Sequence, residues 1–344
     1  MARMRAVTFD AFGAPDVLRA TELDRPEPGP DDVLVRIHAA GICHHDVLSR
    51  AGKIPGRARR ILGHEIAGEI VAVGANVSAT RNGERVVLYQ RLFCGVCRNC
   101  LRGRHDLCRR SRVLGEEGGG GYAQFACVPA RNAVRIPDAL DITAAALAVC
   151  PIGTSVRAVL GVAATGPGDT VLVTGAGGGL GLHQIEIAKS VQARVIAVTS
   201  SPEKAASVRE AGADEVIVAP DLKFSAEVWR LTAKEGADVV LENVVTGTFH
   251  ESLRSSAPNA TVVVLGNLGA KPVELDPGLM IMRRIRIAGS GNATFADVHT
   301  ALQLLATGAV KPRIGRILPF PQAALGHALM EERAVSGRVV LKGW

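Results

Sequence analysis

Residues 170–189 read TVLVTGAGGGLGLHQIEIAK, an apolar run that ends in glycines and continues as an amphipathic helix. The spacing is Ala176-x-Gly178-x-x-Gly181, with Gly175, Gly177 and Gly179 adding backbone freedom. A strand, a glycine turn and a helix opening in that order make a phosphate cradle. Glycine lets the backbone approach a pyrophosphate, and the helix N-terminus offers free N–H groups and the positive end of its dipole. A glycine turn alone is weak, because many only connect elements. Its context here is the required one, inside a βαβ run.

That run fixes the fold class of the chain's second part. After Cys150 the sequence alternates ARVIAVTSS, PEKAASVREAG, DEVIVA, SAEVWRLTAKEG, ADVVLENV, GTFHESLRSS and ATVVVLGNLG, with RIRIAGSG as the last strand. Strand–helix alternation predicts a doubly wound, Rossmann-type parallel sheet covered on both faces. Before Cys150 the texture differs: RAVTF, DVLVRIHAAG, HEIAGEIVAVG, GERVVLY and GYAQFACVP are short strands separated by Gly- and Pro-rich turns. This predicts a β-rich, barrel-like domain. From about residue 294 the chain turns helical in FADVHTALQLLATG and closes with the strand GRVVLKG. The expected division is therefore 1–150 for the β-rich domain, 151–290 for the dinucleotide domain, and 291–344 returning to the first.

Which dinucleotide binds depends on the end of the second strand of the run. An NAD site places an acid there for the ribose hydroxyls. This chain has Thr199, Ser200 and Ser201, with Lys204 nearby. Hydroxyls and an ammonium accommodate a 2′-phosphate that a carboxylate would repel, so NADP(H) is expected over NAD(H). The same SSPEK stretch also serves as a helix start, with Pro202 at its opening.

Composition narrows the partners. Arginines and lysines exceed acids by 40 − 33 = 7, but the basic residues are scattered and aromatics are only 3%, which argues against nucleic acid. The positive field suits an anionic cofactor or substrate. No apolar run reaches membrane-spanning length, and the N-terminal segment lacks a signal-peptide pattern. A cytoplasmic location is expected, and with it reduced thiols rather than disulfides.

Four of the seven cysteines stand in FCGVCRNCLRGRHDLC, at Cys94, Cys97, Cys100 and Cys108. The spacing lets four thiolates converge on one tetrahedral zinc, a closed structural site. Cys43 of GICHHD, His64 of LGHE and Cys150 of LAVCPIGT suit the other kind of site. Two thiolates and one imidazole leave zinc formally neutral with a position open to an oxygen. Each of the three alone reads as an ordinary buried residue; together they carry weight.

With these motifs in this order, the chain resembles the zinc-containing alcohol dehydrogenases of the medium-chain dehydrogenase/reductase superfamily, over essentially its whole length. The resemblance implies a GroES-like catalytic domain beside the Rossmann domain, and two Zn²⁺ per chain, one catalytic and one structural. It puts Glu65 behind the catalytic zinc and makes Asp46 the acceptor that orients His64. It places Thr154 against the nicotinamide and Arg338 near the pyrophosphate. The strand-end loops holding Asn243, Gly266, Asn267 and Leu268 would line the cofactor. Homodimers or homotetramers are the family's assemblies.

The chain departs from the family where the proton path would run. The hydroxyl position is His45 and the relay-histidine position is Leu48. His45 is therefore the expected proton shuttle, an imidazole being suited to that work, with packing in the substrate pocket as its alternative role. VIVAPDLKFSAEV, GTFHESL, VVVLGNLG and ATGAVKP look more like the acryloyl-CoA reductase branch, whose members reduce 2-enoyl thioesters with NADPH.

The leading expectation is a zinc- and NADP(H)-dependent alcohol dehydrogenase or carbonyl reductase acting on a small alcohol, aldehyde or ketone. The alternative is an NADPH-dependent reductase of an enoyl thioester. For that substrate Arg57, Arg59 and Arg60 would hold the phosphates of coenzyme A. A non-enzymatic cofactor-binding protein is the remote third reading, against which the open zinc set argues.

Overall fold

The computed structural model describes residues 2–54, 56–58, 60–117, 119–267, 269 and 271–344. The chain divides into two compact units. The first holds 1–153, 293–306 and 314–344, and the second 154–292 and 307–313. Residues 307–313 fall in the second unit, between two segments of the first. Arg313 explains it: its guanidinium grips Glu186 at 2.6 Å and Glu210 at 2.8 Å, both in the second unit.

In the first unit a seven-stranded sheet is built around the long strand Asp32–Ile42. That strand pairs antiparallel with Glu65–Val73, Phe125–Pro129 and the C-terminal strand Arg338–Lys342. Val33, Val35, Ile37, Ile66, Ile70, Val86, Leu88, Val339 and Leu341 form its core. The sequence reading anticipated these strands but not Ile314–Leu318, which runs parallel to Arg338–Lys342 at the sheet edge. Edge placement leaves Ile317 51% exposed, so its pattern does not read as core. The helix Ala323–Glu331 was also unanticipated.

The second unit is a six-stranded, all-parallel sheet. In spatial order its strands are Glu215–Val218, Arg194–Thr199, Thr170–Val173, Ala237–Glu242, Ser256–Val264 and Arg286–Gly289. Numbered along the chain this is 3-2-1-4-5-6, the doubly wound order. The order reverses between Thr170–Val173 and Ala237–Glu242, so a ligand is expected beyond the carboxyl ends of those two strands.

Candidate active site and metal centres

Cys43 sits where strand Asp32–Ile42 gives way to helix His44–Arg50, as that helix's N-cap. His64 immediately precedes strand Glu65–Val73, and Cys150 lies on the π-helical turn Ala148–Ile152. Although far apart in sequence, Cys43, His64, Glu65 and Cys150 bring their ligand atoms within 4.8 Å of one another. The two thiol sulfurs are 3.9 Å apart. This donor set fits zinc, and Glu65 supplies a further fit: its carboxylate is fully buried and Oε2 has no hydrogen-bond donor.

Asp46 lies against the His64 ring. Its Oδ1 lies 3.2 Å from Nδ1 of His64, leaving Nε2 for a metal. The carboxylate also accepts from the Cys43 N–H at 3.0 Å, the Gly63 N–H at 3.3 Å and the Tyr122 hydroxyl at 3.3 Å. Burial works to raise its pKa, but the neighbouring His64 wins and holds the carboxyl well below the usual range.

Arg338, expected beside a pyrophosphate, has a role the sequence reading did not assign. Its guanidinium holds Glu65 at 3.0 Å, and both groups are buried, at 4% and 0% exposure. Strand pairing makes this possible: Val339 lies opposite Ile42, and Gly41 opposite Glu65. Gly41 is required, because a Cβ there would fall 2.0 Å from Glu65 Oε2. Burial outweighs the ion pair in setting the Glu65 pKa, which is pushed up to about 7.

His45 faces the edge of the His64 ring, with ring centres 5.8 Å apart. Its Nε2 lies 2.6 Å from Oε1 of Glu116, a residue the sequence reading missed. That hydrogen bond raises the His45 pKa against the lowering effect of burial, and it lowers that of Glu116. Of the three arginines considered for a phosphate, Arg57 is exposed, Arg60 is half-buried, and Arg59 lies outside the described residues.

The four-cysteine loop closes as the spacing predicts. Neighbouring sulfurs are 3.5 Å (Cys97–Cys100), 3.6 Å (Cys94–Cys108), 3.9 Å (Cys97–Cys108) and 4.0 Å (Cys94–Cys100) apart. A sulfur tetrahedron with metal–sulfur bonds of ~2.3 Å has edges of about 3.8 Å, so these four edges are of the size that a zinc ion requires.

In the second unit Gly175 has φ +59, and helix Gly181–Ser190 opens at the end of the turn. A Cβ at Gly181 would lie 2.6 Å from Ala176 Cα, so the helix can start this close only with glycine there. Gly177 lies under the Lys204 side chain, where a Cβ would come within 2.8 Å of Lys204 Cβ. Gly178 and Gly179 complete the turn. Thr199 is 4% exposed and its hydroxyl accepts from the Ser201 N–H at 3.2 Å; Ser200, Ser201 and Lys204 follow it in the chain.

Thr154 is half-buried on the helical turn Gly153–Val156. The Asn243 side chain is turned inward, donating to Thr174 O at 2.8 Å and Gln184 Oε1 at 2.7 Å. Gly266 packs on Asn243, where a Cβ would meet the carbonyl oxygen at 2.2 Å. Asn267 donates to Lys271 O at 3.2 Å, and Leu268 lies outside the described residues. Among the described residues no helix is long and apolar enough to cross a membrane.

Residues 29–138 match the alcohol dehydrogenase GroES-like domain, and residues 179–307 match the zinc-binding dehydrogenase domain. The acryloyl-coenzyme A reductase of Metallosphaera sedula is 34% identical over 322 residues, 93% of this chain and 95% of the relative. An NAD-dependent alcohol dehydrogenase of Saccharolobus solfataricus is 33% identical over 350 residues, 98% of this chain and 99% of the relative. The solved structure of AibC superposes with a TM-score of 0.93 at 42% identity, over 99% of this chain and 96% of that one. The two domain matches, and relatives aligned over nearly the whole chain, agree with the metal-ligand sets and the parallel sheet: this chain is an oxidoreductase of the zinc-containing alcohol dehydrogenase family in the medium-chain dehydrogenase/reductase superfamily.

Proposed function

We propose that the protein transfers hydride between NADP(H) and a small alcohol or carbonyl substrate whose oxygen is held at the Cys43–His64–Cys150 site. The observation that carries this reading is the convergence of those three ligands with Glu65 and Asp46. A zinc ion there supplies a Lewis acid for the substrate oxygen, and the dinucleotide supplies or takes the hydride. The chain's own residues do the rest. Asp46 fixes the His64 ring, and Arg338 holds Glu65 in place behind the ligands. His45 moves the proton, its ring held by Glu116. The test is NADPH oxidation with purified protein across aldehydes and ketones. Turnover on none of them would overturn the reading.

A second reading, reduction of a 2-enoyl thioester, has its own support. The alcohol relay is replaced by the His45–Glu116 pair with Leu48 beyond it, and an acryloyl-coenzyme A reductase is among the relatives. Acryloyl- and crotonyl-CoA belong in the same screen. Oxidation of NADPH by these thioesters alone would replace the first reading with the second.

His45→Ala is expected to lower kcat by about tenfold to a thousandfold, the scale of losing a general acid–base group, with zinc content unaltered. A change in KM with kcat intact would mean that the ring only shapes the pocket.

Preference for NADPH rests on Ser200, Ser201 and Lys204 at the end of strand Arg194–Thr199. Because Thr199 is buried, the discriminating substitution is Ser200→Asp. A carboxylate there repels the 2′-phosphate and accepts from ribose hydroxyls. It should shift the kcat/KM ratio toward NADH by about ten- to a hundredfold, the range of one charge-assisted hydrogen bond. Equal use of NADH by the unmodified protein would sink the preference.

A further inference from the structure

Beneath the glycine turn lies a carboxylate with no task so far. Glu242 ends strand Ala237–Glu242 and is fully buried. Its Oε1 accepts from the Thr174 hydroxyl at 2.8 Å, the Thr248 hydroxyl at 2.8 Å, the Val244 N–H at 3.0 Å and the Val245 N–H at 2.9 Å. The Ser252 hydroxyl donates to Oε2. None of the five donors is a cation, so the buried carboxylate is solvated by the protein's own dipoles.

The donors come from informative places. Thr174 immediately precedes Gly175, at the end of strand Thr170–Val173. Val244 and Val245 follow Ala237–Glu242, the neighbouring strand across the reversal in sheet order. Glu242 therefore ties together the two strand ends that bracket the expected ligand crevice. A second observation is independent of the hydrogen bonds. Val245 has φ +66, a left-handed conformation that a β-branched residue adopts only when its surroundings enforce it. The residue is buried, at 4% exposure, and its N–H is one of those held by Glu242. Asn243 adds a brace between them: its N–H donates to the Thr174 hydroxyl oxygen at 3.0 Å, and its side-chain amide pairs with Gln184 on helix Gly181–Ser190.

We propose that Glu242 is a positioning residue for the dinucleotide, clamping the strained turn 243–245 to Thr174 so that both strand ends are preformed for the cofactor. This rests on the dinucleotide reading above. The carboxylate acts through the backbone it holds, and an amide weakens that hold: its oxygen can still meet the four donors and its NH2 can donate to the Ser252 hydroxyl, but the acceptor has lost its charge.

The test is a fluorescence titration of NADPH, and of NADH, into the zinc-loaded protein without substrate. Glu242→Gln should raise the Kd for the preferred dinucleotide about tenfold or more, the scale of losing a hydrogen bond to a charged group. Zinc content should be unchanged. Adding Val245→Gly removes the need to enforce a left-handed valine, so the double variant should recover most of the lost affinity. If Glu242→Gln melts early yet binds with the same Kd, or if the glycine brings no recovery, the carboxylate is only structural and the proposal falls. Should Glu242→Gln fail to fold, Thr248→Val removes a single donor and leaves the carboxylate. A several-fold weaker Kd in that variant supports the clamp, and an unchanged one overturns it. If the unmodified protein binds neither dinucleotide, the cofactor reading itself has failed, and the clamp with it.

Discussion

Cys43→Ser is expected to give a folded protein that carries one zinc where the unmodified chain should carry two, and that has lost about a thousandfold or more in kcat/KM. The fold survives because Cys43 is the N-cap of helix His44–Arg50, and serine caps helices well. The metal is lost because a serine hydroxyl does not ionise as a thiol does, and only His64 and Cys150 remain of the three-ligand set. Lewis-acid stabilisation is worth several kcal/mol, and each ~1.4 kcal/mol is tenfold in rate. The four-cysteine site shares no residue with this one, so its zinc should stay. Cys100→Ser is the control in the opposite sense, lowering thermal stability through the structural site. Elemental analysis of protein purified without added metal, together with NADPH-linked turnover, checks both. Two zincs and undiminished turnover in Cys43→Ser would remove Cys43 from the catalytic set.

The four-cysteine cluster and the parallel sheet were legible because each is written locally. The cysteine loop closes over fifteen residues, and the glycine turn declares its strand and helix within twenty. What stayed hidden depends on pairing across long separations. Glu116 stands in the run GEEGGGG, which reads as an ordinary polar turn, and only the fold sets it against His45. The inward orientation of the Asn243 side chain follows from the Gln184 amide opposite it, which no motif announces. Glu242 reads as the polar end of a strand, and its five donors are gathered from two strand ends and a helix. In each case the residue type was visible and the partner was not.

The same reasoning predicts a large effect from Arg338→Met. Glu65 lies early in the chain and Arg338 near its end, brought together because strand Arg338–Lys342 pairs with Asp32–Ile42. Methionine fills much of the arginine stem's volume, so the main change is loss of the cation. Glu65, with no exposure to water and a pKa already pushed up to about 7, then loses its counter-charge and takes up a proton at neutral pH, leaving a buried carboxyl without its ion pair. Removing one partner of a buried pair destabilises by about 3–5 kcal/mol, whereas replacing both by uncharged groups is far better tolerated. The single variant should therefore melt roughly 6–20 °C lower, given ~2–4 °C per kcal/mol for a domain of this size. The Glu65→Gln/Arg338→Met double variant should recover much of that difference, since the two residues are in contact and their effects do not add. Because Glu65 lies among the zinc ligands, metal content is measured on both proteins, separating loss of the ion pair from loss of zinc. A single variant that melts within a degree of the unmodified protein, or a double variant no more stable than the single, would show that the pair does not hold this part of the fold.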